Sequence, residues 1–324
     1  MLRFLTRLFL VALIAAVAAS VAFWVMANRR EVRSAEALAL PESRLVETVH
    51  GAIHVLEDGP SNGVPILLVH GSVGWAGLWR DTMAALAKQG YRVIALDLPP
   101  MGLSERFPGM DYSRQAQGLR ILAVAETLEK PPVLVAHSFG AGAAMEAIMA
   151  GEQAFRGGVI VAGALGLGQD GTGQDLPLPL RPPLVREVAL ASTVTNPLVT
   201  KPLFQQFVFR KDSITPDIIG LLEYPFQREG TTAALAEWLP TLLVPPRGAA
   251  SSDAARYAAL GLPVALIWGR EDTVTPPVQG EGLQAALGDA PIFWMDSTGH
   301  IPQIEAPEAF HAQLAAALAY IEDN

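Results

Sequence analysis

The sequence predicts an α/β fold: a mainly parallel, doubly wound sheet with a helical insertion and an N-terminal transmembrane helix. Three observations predict it. Short, continuously apolar runs such as "VPILLV", "YRVIALDL" and "PPVLVAH" alternate with stretches of helical spacing. That alternation breaks after Gly166, runs through a proline-rich stretch from 167 to 250, and then resumes. Ahead of it all, Leu8 to Ala27 is an uncharged apolar run of 20 residues.

Taken in order, residues 1–33 read as a membrane anchor. A bilayer core of ~30 Å needs roughly 20 apolar helical residues, and arginines flank the run at Arg3, Arg7, Arg29, Arg30 and Arg33. A cleaved secretory signal is the competing possibility, because "AVA" at 16–18 would suit a peptidase. The run continues past that point through Val21, Phe23, Trp24 and Val25, which favours an uncleaved single-pass anchor held in the lipid bilayer by residues 8–27. Positive charge at both ends sets orientation only weakly; a periplasmic or other extracytoplasmic face is expected.

Residues 34–44 read as a linker. Two β-type runs around Gly51 predict a hairpin. "VPILLVHG" is a strand buried on both faces, and Leu78 to Gln89 a helix that Gly90 stops. "YRVIALDLP" is the next strand, 112–129 a helix, "PPVLVAH" a strand, 139–150 a helix and "GGVIVAG" a strand. This first part of the core covers 45–166. The insertion, 167–250, has helical stretches but no convincing buried strand, and reads as a cap or lid. The second part of the core, 251–324, holds "LPVALIWG", a helix over 279–287, "APIFWMD" and a final helix over 307–322.

Bulk properties exclude several functions. The net charge is −9 and no basic face is evident, which disfavours nucleic acid as a partner. There is no cysteine, so disulfides, thiolate metal sites and a cysteine nucleophile are absent. "GLGQDG", 166–171, fits G-x-G-x-x-G after a strand. The dinucleotide fingerprint needs a helix opening from those glycines, and "TGQDLPLPLRPP" cannot start one there.

Chemistry is sought at the carboxyl ends of the strands, where open α/β sheets place their sites. Nucleophilic acyl transfer needs a hydroxyl, an imidazole to take its proton, a carboxylate to orient the imidazole, and backbone donors for the oxyanion. "VLVA" ends in His137-Ser138-Phe139-Gly140, with small residues Ala136 and Gly140 clearing room around Ser138 in a tight strand-to-helix turn. "VALIW" ends in Gly269-Arg270-Glu271-Asp272, and "IFWMD" is followed by Gly299-His300. "VPILLV" ends in His70-Gly71-Ser72-Val73-Gly74. Four strand ends thus supply four compatible parts, in the chain order Ser138, Asp272, His300 expected for such hydrolases.

On these residues the chain resembles the α/β-hydrolase superfamily, in the serine-nucleophile branch with a cap after the sixth strand. The matching stretches are "LLVHGSVG", "VIALDLPPMGLS", "LVAHSFGAGAAM", "LIWGREDTVTPP" and "STGHIPQIEAPE". Ala136 departs from the usual G-x-S-x-G, and Pro100 stands where the family commonly has glycine. Serine at 138 argues against the haloalkane dehalogenases and epoxide hydrolases, whose nucleophile is aspartate.

The resemblance implies Ser138 as nucleophile, His300 as general base and acid, and Asp272 as the group orienting it. The N–H groups of Ser72 and Phe139 would form the oxyanion hole. No metal or organic cofactor is implied. Trp75 and His137 are expected near the substrate, a small apolar ester, although both residues also suit structural roles. Asp170 is the alternative acid. Asp97 with Ser104 is expected to shape a loop, and His70 to brace one. The implied function is carboxylic ester hydrolysis through an acyl-enzyme. Amide, thioester or C–C hydrolysis, perhydrolysis, and a catalytically silent receptor or scaffold are the alternatives.

Overall fold

The computed structural model describes residues 2–324. Met1 and the side chains of Leu2 and Arg3, which belong to the expected anchor, lie outside the described residues. Helix α1 (Leu2–Arg30) is continuous, and Phe4–Arg30 is long and apolar enough to cross a membrane by length and composition. At ~1.5 Å per residue that stretch is about 40 Å long.

Residues 34–44 differ from the expected linker. Ser34 caps a short helix α2 (Ala35–Leu38), and β1 (Ser43–Val46) has begun before 45. Leu38 is wholly buried and Leu40 packs on the core. These two leucines give the stretch apolar surface to bury, which holds it against the domain.

β1 pairs with β2 (Ile53–Asp58) as the expected antiparallel hairpin around Gly51. β3 (Pro65–Val69) leads through a 3₁₀ turn at Ala76–Trp79 into α3 (Arg80–Ala87), and β4 (Arg92–Leu96) follows. Next come α4 (Arg114–Glu126), β5 (Val133–His137), α5 (Phe139–Ala150) and β6 (Gly157–Val161). The insertion carries α6 (Pro183–Ser192), α7 (Pro197–Phe207), α8 (Pro216–Glu223) and α9 (Thr231–Leu243). The core resumes with β7 (Val264–Gly269), α10 (Pro277–Ala286), β8 (Ile292–Met295), α11 (Pro302–Glu305) and α12 (Pro307–Asp323).

The eight strands form one sheet in the order β1-β2-β4-β3-β5-β6-β7-β8, antiparallel at β1–β2 and β2–β4 and parallel elsewhere. The continuous apolar runs have a direct cause. Leu67, Ile94, Leu134 and Ile160 face a layer with α4 and α5, whereas Ile66, Val93, Val133 and Val159 face α3 and α12. Alternate residues are buried on opposite sides, so polar residues have no place in these strands.

The helical insertion packs against the N-terminal segment. The Trp24 indole N–H donates to Glu187 of α6 at 3.3 Å, and Arg30 donates to the Thr195 carbonyl. The buried carboxylate of Glu31 accepts from the Thr232 N–H at 2.9 Å and from the Thr232 hydroxyl, satisfying the N-terminus of α9. The Tyr224 hydroxyl donates to Leu38 O at 2.8 Å.

Candidate active site

Between β5 and α5 the chain has one residue in which to turn. Ser138 makes that turn at φ 53°, ψ −125°, in the region that L-residues avoid. Small neighbours permit it. A methyl group on Gly140 would sit 2.2 Å from the His70 carbonyl oxygen, and one on Gly71 would sit 2.9 Å from the Ser138 Cβ. The turn after β3 is therefore pressed against the turn after β5.

The three expected residues meet at this rim. Ser138 Oγ lies 2.7 Å from His300 Nε2, and His300 Nδ1 lies 2.9 Å from Asp272 Oδ2. With Nδ1–H donating to the carboxylate, Nε2 is left as the acceptor of the Ser138 hydroxyl hydrogen bond. Asp272 is held by its own turn: the N–H groups of Val274 and Thr275 donate to Oδ1 at 2.8 and 2.9 Å, and the Thr275 hydroxyl lies 2.8 Å from Oδ2. Burial pushes the Asp272 carboxyl up, but the bonds and charge of His300 together with Thr275 outweigh it and hold the carboxyl below the ordinary range. It is ionised at neutral pH.

Phe139 opens α5, so its N–H sits at a helix N-terminus. Ser72 lies one residue beyond Gly71, which is packed on Ser138. Among the described residues neither N–H has an acceptor in the protein. Val73, next in the turn, has φ 59°, an unusual value for a β-branched residue, and its N–H meets Met101 Sδ at 3.0 Å.

Two residues expected near the substrate make bracing contacts in the structure. Trp75 is 1% exposed; its N–H donates to Leu221 O at 2.8 Å and its ring stacks on Tyr224 at 5.4 Å. It fastens the core to the insertion. His137 is buried, and its Nε2–H donates to the His300 carbonyl at 2.8 Å. Burial, reinforced by the nearby His300, drives its pKa down to about 3, so it stays neutral and braces the loop.

Asp170 is exposed and its carboxylate is taken by the Thr172 N–H and hydroxyl, far from the role of alternative acid. His70 braces as expected, donating from Nδ1 to Gly71 O at 2.7 Å and accepting the Leu98 N–H on Nε2 at 2.9 Å. Asp97 gathers Ala76 N–H, Leu103 N–H and His54, while Ser104 bonds its carbonyl.

Some positioning residues escape sequence reasoning. The Thr275 hydroxyl also lies 3.2 Å from His300 Nδ1 and 3.1 Å from Ala162 O. The Glu305 carboxylate gathers the N–H groups of Gly299 and Ile301 beside His300, and of Phe209 and Arg210 from the insertion. The His300 N–H itself donates to Phe207 O at 2.9 Å. Trp238 of α9 packs edge-on against Phe139, with ring centroids 5.3 Å apart, and its indole N–H is buried without an acceptor. "TVTPP" and "IEAPE" were visible as loop motifs, but nothing in them announces these partners.

Comparison with known proteins agrees with this architecture. Residues 66–313 match the model of a family described as the alpha/beta hydrolase family. The chain is 26% identical over 255 residues to the uncharacterized hydrolase YugF of Bacillus subtilis strain 168, covering 77% of this chain and 88% of that protein. It is 28% identical over 273 residues to the 2-hydroxy-6-oxononadienedioate/2-hydroxy-6-oxononatrienedioate hydrolase of Paraburkholderia xenovorans LB400, covering 81% and 89%. A bacterial membrane phospholipase A is similar in structure over 100% of both chains, with a TM-score of 0.66 and 20% identity. With the matched segment spanning most of its length and the sheet, turn and rim arranged as above, the chain belongs to the alpha/beta hydrolase family.

Proposed function

We propose that this hydrolase cleaves a carboxylic ester through an acyl-enzyme on Ser138, with the domain held at a membrane by α1. The observation that carries the proposal is the relay from Ser138 Oγ to His300 Nε2 at 2.7 Å and from His300 Nδ1 to Asp272 at 2.9 Å, mounted on a strained turn. His300 takes the hydroxyl proton as Ser138 attacks the acyl carbonyl. The Ser72 and Phe139 N–H groups receive the oxyanion, and His300 returns the proton to the departing alcohol. Water, deprotonated by the same imidazole, then releases the acid. General-base assistance supplies about 10²–10⁴-fold, and each oxyanion donor on the order of 10²–10³.

A substrate with an apolar acyl part is supported by the insertion that covers the rim and by its attachment to α1. The segment following the apolar helix bonds directly to α9, whose Trp238 abuts Phe139. That arrangement suits an ester drawn from, or near, a lipid surface. The likeness to a membrane phospholipase A points the same way.

The test uses full-length protein in detergent. A fluorophosphonate probe is expected to label wild type and not Ser138→Ala; equal labelling of both would remove Ser138 as the nucleophile. An ester series of increasing acyl length then defines the substrate, and activity confined to non-ester substrates would overturn the ester assignment.

A further inference from the structure

Away from the Ser138 rim, a cavity of about 480 Å³ opens between the start of α4 and the insertion. That size lies within the range of small-molecule sites, and none of Ser138, Asp272 or His300 lines it. One wall is apolar, built from Leu176, Pro240, Val244, Pro245 and Pro246. Proline carries no N–H, so this wall offers a polar ligand few donors.

The rest of the lining is polar and sets three arginines, Arg114, Arg181 and Arg247, against one carboxylate, Asp175. Arg181 and Arg247 both lie beside Asp175 at 3.5 and 3.4 Å, and Asp170 is within electrostatic reach of Arg247 outside the lining. Arg114 is 8% exposed and donates only to neutral oxygens: Leu165 O, Ala164 O and the Ser251 and Ser252 hydroxyls. No carboxylate lies within ion-pair distance of it among the described residues. The nearest carboxylate, Glu146, acts on it only at a distance and accepts the Ser251 N–H at 2.7 Å, so the nearly buried guanidinium has no direct ionic partner. The N-terminus of α4, capped by Ser113, adds positive potential on the same side.

An apolar wall facing arginines selects a ligand with hydrocarbon at one end and an anion at the other. We infer that this cavity binds a fatty-acid-type carboxylate, its chain against the proline wall and its head group among Arg114, Arg181 and Arg247. The inference rests on the ester-hydrolase reading to the extent that such an acid is what an acyl-enzyme on Ser138 releases. The cavity would then hold product, or its chain-matched analogue, outside the reaction centre.

Photocrosslinking tests it on the full-length protein in membranes. Ser138 is first blocked with fluorophosphonate; failure at that step counts against the proposed function, not against the cavity. A diazirine-bearing dodecanoic acid is then irradiated with the blocked protein and the adducts are mapped by mass spectrometry. Adducts are expected in the segments around 176 and 240–246, and the methyl ester of the same probe should give about ten-fold fewer. The double variant Arg181→Gln/Arg247→Gln alters only half-exposed rim residues and should lower the yield by a similar factor. Val244→Trp, which fills the cavity, should do the same by steric exclusion. Adducts confined to the peptides of Ser138 and His300, or equal yields from acid and methyl ester, would overturn the inference.

Discussion

Single residues decide whether the relay is poised. Thr275 bonds Asp272 by both backbone and side chain and approaches His300, so it is a positioning residue. Thr275→Val is expected to lower kcat about ten-fold with little change in KM and with Ser138 still labelled by fluorophosphonate; stopped-time kinetics at saturating ester reads this directly. Asp272 gives a pH prediction. Its folded-state carboxyl lies below the ordinary aspartate value of 3.8, so the unfolded chain binds that proton more readily. Its stabilising contribution is fully present above the ordinary value and disappears as pH falls through the lowered one. Urea midpoints of wild type and Asp272→Asn should therefore differ at pH 7 and draw together only as the pH falls below the ordinary aspartate value. Ser138, Asp272 and His300 were legible because each ends a recognisable strand. Thr275 and Glu305 were not, because their work is hydrogen bonding between loops whose approach no local pattern encodes. The partner of Trp75 was hidden for a different reason: an indole suits a pocket wall as well as a core, and its bond to the Leu221 carbonyl spans 146 positions of the chain.

At the scale of elements, the tight β5–α5 junction controls the site. Gly140→Ala places a methyl group 2.2 Å from the His70 oxygen, a backbone atom that can yield only by moving the Ser72 turn. The expected result is a loss of about 1–3 kcal/mol in denaturant unfolding, together with lower activity if the Ser72 and Phe139 N–H groups serve as proposed, because both would shift. Strands and core helices were readable from apolar runs and 3.6-residue spacing. The segment 34–44 was not, since two leucines in an otherwise small and polar stretch carry too little pattern to reveal that Leu38 is buried.

At the scale of the molecule, the N-terminal helix and the insertion form one unit. Trp24, Arg30 and Glu31 bond to Glu187, Thr195 and Thr232 respectively. Removing residues 1–33 is expected to release α9 from its carboxylate cap, costing about 1 kcal/mol, and to speed limited proteolysis within 167–250 relative to full-length protein. Unchanged cleavage would show that these bonds do not steady the insertion. Alkaline carbonate extraction should leave the full-length chain in the membrane pellet.

By itself the sequence determined the alternating strands and helices, the apolar N-terminal run, the interruption at 167–250 and which hydroxyl, carboxylate and imidazole follow its strands. Those features are local: periodicity, strand ends and turn residues are written in neighbouring positions. Only the tertiary structure decided that the N-terminal segment grips the insertion, that Trp75 bonds Leu221 and His137 bonds the His300 carbonyl, and that Arg181 and Arg247 share a cavity with an apolar wall. Each of these depends on groups tens to hundreds of positions apart, brought together by burial of apolar surface that favours compactness without naming partners in the chain.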